Sequence, residues 1–169
     1  GNKDIVVLIN GVPLPKDDFE KVVAFISNLS KETSKEYQGW LEEIYENGYA
    51  LKDVPSELKT YELCELAVQD EARALQYVPE ELHTPELCMV AVQKDGWNLK
   101  YVALELRTKE LCELAVQKEG YVLEFVPEEL KSQELCEMAV NSRGYALEYI
   151  PYDFKTKEIC EIAVKENAY

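Results

Sequence analysis

Val54-Pro55-Ser56-Glu57-Leu58-Lys59-Thr60 returns as Val78-Pro79-Glu80-Glu81-Leu82-His83-Thr84 and again as Val102-Ala103-Leu104-Glu105-Leu106-Arg107-Thr108. It returns twice more, as Val126-Pro127-Glu128-Glu129-Leu130-Lys131-Ser132 and Ile150-Pro151-Tyr152-Asp153-Phe154-Lys155-Thr156. The step is 24 residues each time, with no insertion. Extended outward, the units open at Gly48, Ala72, Gly96, Gly120 and Gly144, and the last closes near Asn167, so they account for 120 of 169 residues. A fixed period of this kind is the signature of a stacked array, in which each unit buries its apolar face only against its neighbours.

The second half of the unit reads as an amphipathic helix. Thr60, Thr84, Thr108, Ser132 and Thr156 stand where a helix N-cap oxygen is wanted. Pro85 follows one of them at the first helical position, where its missing N–H costs nothing. Glu62, Glu86, Glu110, Glu134 and Glu158 fall in the first turn, where the helix dipole favours an acid. Leu63, Leu66 and Ala67 then recur at helical spacing with Cys64 and Val68 beside them, so these positions are the expected core. The helix is expected to stop at the glycine that opens the next unit, in a left-handed conformation, less firmly at Ala72 and Ala168.

The first half carries Leu51, Val54 and Leu58, again three and four apart, and is interrupted by Pro55. That predicts a short helix, a kink and one further turn. Ala103 replaces the proline in the third unit, where a straighter helix is expected. The fold expected is therefore all-α: a right-handed α-solenoid of five 24-residue two-helix repeats over 48–167. A leucine-rich repeat of similar length needs an asparagine recurring once per unit, and none does here.

The units resemble the tandem helical repeats known as domain of unknown function 4116, found in bacterial and some viral proteins. The resemblance rests on Gly96-Trp97-Asn98-Leu99-Lys100-Tyr101, on Pro79-Glu80-Glu81-Leu82, and on Glu86-Leu87-Cys88 leading into Ala91-Val92-Gln93-Lys94-Asp95-Gly96. It covers 48–167 and implies a helical array, and it lends no reaction, ligand or catalytic residue.

Residues 1–47 form a separate capping segment. Phe19, Val22, Val23, Ile26 and Leu29 predict a helix over about 15–29, opened around Pro15 to Asp18. Tyr37, Trp40, Leu41, Ile44 and Tyr45 predict a second over 34–47, with Thr33 and Glu36 as a capping box. Both are placed to cover the end of an array. Ile5 to Ile9 is a β-type run, and Asn10-Gly11 is a hairpin turn signal before Val12-Pro13-Leu14. A short hairpin over 5–14 is expected, and because a lone hairpin is marginal in water, it is a candidate for strand-mediated homodimerisation.

The formal charge is −15, from 33 acidic and 18 basic residues. Such a surface repels phosphate backbones and anionic membranes and steers basic partners inward. No nucleic-acid or membrane partner is expected, and no apolar run nears the roughly 20 residues of a membrane span. Five cysteines, Cys64, Cys88, Cys112, Cys136 and Cys160, hold one position per unit. Stacked helices about 8–10 Å apart keep them beyond the roughly 7 Å of a disulfide. One cysteine per unit supplies no zinc-ligand set, so each reads as a small core residue. Unpaired thiols favour a reducing compartment, hence a cytoplasmic placement. The chain opens at Gly1 without methionine, so an exported protein whose leader has been removed stays open beside it.

No catalytic residue, metal site or cofactor is expected. His83, the one histidine, aligns with Lys59, Arg107, Lys131 and Lys155 in what reads as a basic surface column. Glu57, Glu81, Glu105, Glu129 and Asp153 form an acidic column, repeated in every unit where a catalytic or calcium pair would be built once. Aromatic columns are the least bland feature. Tyr49, Trp97, Tyr121 and Tyr145 form one, and Tyr77, Tyr101, Phe125 and Tyr149 another. Trp97 with Tyr101, Tyr121 with Phe125, and Tyr145 with Tyr149 stand i,i+4, as if sharing a helix face. They serve either packing between units or a groove for a polypeptide.

These readings favour a non-enzymatic interaction scaffold. Its candidate contact residues are Tyr77, Trp97, Tyr101, Tyr121, Phe125, Tyr145 and Tyr149, on an acidic, aromatic-bearing face for a protein or peptide of basic character. The alternative is an architectural spacer in a larger protein with no ligand. An enzyme would need its chemistry in 1–47 or outside this sequence.

Overall fold

The five hydroxyls expected to cap helices all do so. Thr60 Oγ1 accepts from the amide of Leu63, Thr84 from Leu87, Thr108 from Leu111, Ser132 from Leu135 and Thr156 from Ile159, at 3.1 to 3.3 Å. The structure is a computed structural model and describes 34–166 together with the strand pair Leu8–Ile9 and Val12–Pro13. After helix α1 at 34–46 come α2 (Tyr61–Asp70), α3 (Pro85–Lys94), α4 (Lys109–Lys118), α5 (Gln133–Ser142) and α6 (Lys157–Glu166). The described residues from 34 onward are helical and connecting segments, an all-α arrangement.

Two 3₁₀ segments precede each of α2 to α6, for example Gly96–Tyr101 and Leu104–Leu106 before α4. The expected short α-helix with a kink is thus a pair of 3₁₀ pieces. The second pieces, of three residues, have the length usual for 3₁₀ connectors, and the first, of five or six, run longer than most. The break between them does not depend on proline. Ala103 takes φ −55°, ψ 143°, against −55°, 141° at Pro55, so the third unit is no straighter than the rest. The preceding Val102 is extended and 1% exposed, and burial of that side chain holds the break where the ring is missing.

The glycines do not act as left-handed stops. The residues that end α2 to α5, Glu71, Asp95, Glu119 and Arg143, are extended, with φ between −117° and −149°. Glycine is needed for close approach instead. A Cβ on Gly96 would sit 2.8 Å from the carbonyl oxygen of Ala115, and one on Gly120 would strike that of Ala139. Backbone of one unit therefore lies against the following α-helix, itself narrowed by an alanine.

The core is one strip repeated: Leu63, Cys64, Ala67 and Val68 in α2, with Leu51 and Leu75 from the first 3₁₀ segments and Val54 from the bend between two of them, all buried. Consecutive helices α2 to α6 pack side by side, and each also packs on the flanking first 3₁₀ segments. Leu66 and its equivalents Val90, Leu114 and Ile162 are only half-buried, and Met138 is exposed. That position, expected in the core, is a shoulder of it.

The chain divides into two compact units, Gly1–Leu41 and Glu42–Tyr169. In the first, Leu8 pairs with Pro13 and Ile9 with Val12, antiparallel. The turn residues Asn10 and Gly11, the helix expected at 15–29 and Thr33 lie outside the described residues. In the second, Ile44 near the end of α1 is fully buried.

Candidate functional site

Every aromatic candidate lies on a first 3₁₀ segment, one residue after the opening glycine or alanine, or five after it. At about three residues per turn, positions i and i+4 lie roughly 120° apart, so they do not share a face as they would on an α-helix. The ring contacts run between units. Trp97 stacks on Tyr121, centroids 6.5 Å apart and planes 25° apart, and meets the edge of Phe125 at 6.3 Å. Tyr49 and Tyr77 meet edge-on at 5.4 Å. The Tyr77 hydroxyl donates to that of Tyr49 at 3.1 Å, and this bond, with some burial, pushes the Tyr77 hydroxyl up to about 12. Lys100 Nζ lies 4.5 Å from the ring centre of Tyr101.

The rings are half-buried, and Tyr145 is 66% exposed. Trp97, Tyr121 and Tyr145 line one surface concavity of about 600 Å³, rimmed by Glu119, Ser142, Arg143 and Glu166. A second, of about 340 Å³, is lined by Tyr49, Trp97 and Tyr101 with Arg73, Gln76 and Lys100. Trp97 belongs to both. Phe125, Tyr77 and Tyr149 line neither. Phe125 packs on Trp97 and Tyr77 on Tyr49. The Tyr149 hydroxyl is held above its ordinary range, chiefly by the charge of Glu124.

Acidic and aromatic columns are carried by different elements. Glu57, Glu81, Glu105, Glu129 and Asp153 are exposed on the second 3₁₀ segments, and Glu62, Glu86, Glu110, Glu134 and Glu158 on the first turns of the α-helices. The rim around the rings is mixed, with the ion pair Arg73–Asp95 at 3.1 Å and Arg143–Glu119 at 3.9 Å.

The basic column is not the surface feature expected. Lys59 Nζ donates to the carbonyl of Tyr77 at 2.8 Å, Arg107 to that of Phe125 at 2.6 Å, and Lys131 to that of Tyr149 at 3.4 Å. In each case a cation of one unit caps the end of the first 3₁₀ segment eighteen residues on. The Lys131 side chain is 5% exposed and also meets Glu128 at 2.5 Å. Arg107 bonds its own Val102 carbonyl as well, and burial lowers its pKa. Sequence spacing alone shows a column of charge. Three of its members turn to a carbonyl of the next unit, while Lys155 is exposed. His83, the fourth member, has both ring nitrogens buried without a hydrogen-bond partner.

Cys64, Cys88, Cys112 and Cys136 are buried and in no disulfide, the Cys112 thiol donating to the Arg107 carbonyl at 3.8 Å, and desolvation pushes each thiol up to about 11. They are core atoms rather than nucleophiles. Among the described residues there is no group of three His, Cys, Asp or Glu placed to hold a metal ion, and no helix long and apolar enough to cross a membrane.

Comparison with curated proteins and with solved structures gives no match. The model of the family described as Domain of unknown function (DUF4116) matches residues 84–131 and, immediately after them, 132–169. The two matches open at Thr84 and Ser132, each a helix N-cap, and the first spans two 24-residue periods. Tandem matches in register with the capping hydroxyls, over half of the chain, settle the assignment: this protein belongs to the DUF4116 family.

Proposed function

We propose that residues 48–167 form an α-solenoid of five stacked 24-residue units that acts as a non-enzymatic scaffold for a polypeptide. The end of α1, with Ile44 buried, closes the N-terminal side of the array. One observation carries the binding reading: Trp97, Tyr121 and Tyr145, from three successive units, line one concavity with a polar rim of Glu119, Ser142 and Arg143. Half-exposed aromatics on a stiff backbone give large contact area at little entropic cost, as at interface hot spots. Tyr77, Tyr101, Phe125 and Tyr149 back that row or extend it. The net charge of −15 favours a basic partner by steering its approach, with the acid columns on neighbouring elements supplying the field.

A second reading has its own support. The contacts of Trp97 with Tyr121 and Phe125 join units, so the rings also serve an architectural spacer. The two readings separate by experiment. Random peptides displayed on phage are selected on the purified protein, and the enriched peptides are titrated against wild type and Trp97→Ala/Tyr145→Ala. The scaffold reading expects enrichment of basic peptides with apolar anchors, and at least about tenfold weaker binding to a variant of unchanged helical content. No enrichment, or equal binding to both proteins, supports the spacer.

A further inference from the structure

The structure assigns a hinge to the junction between the second and third units, where three departures from the repeat coincide. This rests on the stacking of units and not on the polypeptide-binding reading. The first departure is His83. Where Lys59, Arg107 and Lys131 reach across to cap the carbonyl eighteen residues on, His83 has a shorter side chain that shares a concavity with Tyr101 but makes no such bond, and its ring nitrogens find no partner. A buried imidazole without hydrogen bonds costs free energy where its neighbours in the column gain it.

The second departure is Ala103. Proline fixes φ and lowers the entropy of any opened state. Alanine holds the same φ and ψ here without that restraint. The third is Arg73, which stands in the aromatic column between Tyr49 and Trp97 and interrupts the ring contacts. Tyr49 with Tyr77 lies on one side, and Trp97 with Tyr121 and Phe125 on the other. Arg73 does bridge to Asp95, but through an exposed pair of small worth. A concavity of about 360 Å³ lined by His83, Ala103, Leu104 and Arg107 marks the same junction, and Leu104 is 60% exposed beside it.

The array is thus two blocks, each joined internally by cation caps, with ring contacts between the first and second and between the third and fourth units, meeting at a joint that lacks both. Bending there changes the angle between the two parts of the aromatic face.

Amide hydrogen exchange by NMR on the whole chain tests this, with rates corrected for intrinsic exchange. The amides of Val102 and Leu106, which bond to the carbonyls of Leu99 and Ala103, are compared with Val126 and Leu130, which bond to those of Leu123 and Pro127. The first pair is expected to exchange about tenfold faster, the effect of one missing charge-assisted bond on local opening. His83→Lys is expected to slow them to the rate of the second pair. Lys131→His is expected to transfer the fast exchange to Ile150 and Phe154. Equal protection at both junctions in the wild type overturns the hinge, as does fast exchange of Val102 and Leu106 unaltered by His83→Lys. Lys131→His provides the reciprocal test: no acceleration at Ile150 and Phe154 overturns the role given to the cation cap.

Discussion

Leu111 and Leu114 stand three residues apart in α4, and sequence periodicity treats them alike. Leu111 is 2% exposed, whereas Leu114 is half-buried. The buried strip is narrow because Ala115 and the backbone of the unit's own opening segment at Gly96 close in on one side of the helix. Leu111→Ala is therefore expected to cost roughly 2–5 kcal/mol, and Leu114→Ala about 1 kcal/mol, measured by urea denaturation. Equal losses would contradict the strip as drawn. The cation caps make a second prediction at this scale. Lys131→Ala leaves a carbonyl without its donor and is expected to cost about 1–3 kcal/mol. Lys155→Ala, in the same column but exposed, is expected to change stability by less than about 0.5 kcal/mol. Chemical denaturation of the two variants checks the contrast.

Among the elements, the α-helices were largely legible and the segments before them only partly. Thr60, Thr108 and Ser132 announce their helices through a local rule, one hydroxyl to one amide, and the structure honours it in every unit. Thr108→Ala is expected to lower stability by about 1 kcal/mol and to fray the first turn of α4, seen as faster exchange of the Leu111 amide. The first half of the unit was read as helical, and it is, but in 3₁₀ form. Apolar residues three and four apart fit either winding, so Leu51, Val54 and Leu58 do not distinguish them. The consequence for the site is direct. The ring contacts, Tyr49 with Tyr77 and Trp97 with Tyr121 and Phe125, fall at steps of 24 and 28 residues rather than 4, because the winding turns i and i+4 apart and neighbouring units come together. The opening glycines mislead a sequence reading for a related reason, since they answer to close packing on the α-helix of their own unit and not to local preference.

For the whole molecule, the cysteine column ties stability to pH. Cys64, Cys88, Cys112 and Cys136 titrate at about 11 in the fold, against about 8.5 for a free thiol. The folded pKa is raised, so the contribution is complete below about 8.5 and is lost as pH rises toward 11. Thermal melts are expected to fall through that window, and Cys→Ser or Cys→Ala variants at two of the four positions to fall less steeply. An unchanged slope would contradict burial as the cause.

The unit of structure we propose is 24 residues, so that whole units are interchangeable while half units are not. The most direct test removes 120–143 in one variant and 120–131 in another, and follows thermal unfolding by circular dichroism. The first deletion brings Gly144 to the place of Gly120 and leaves Arg107 facing the carbonyl of Tyr149 in place of Phe125. It is expected to keep a cooperative transition with proportionate helical signal. The second joins mismatched halves and is expected to lose that transition. Comparable loss in both variants, or comparable retention, would contradict the account.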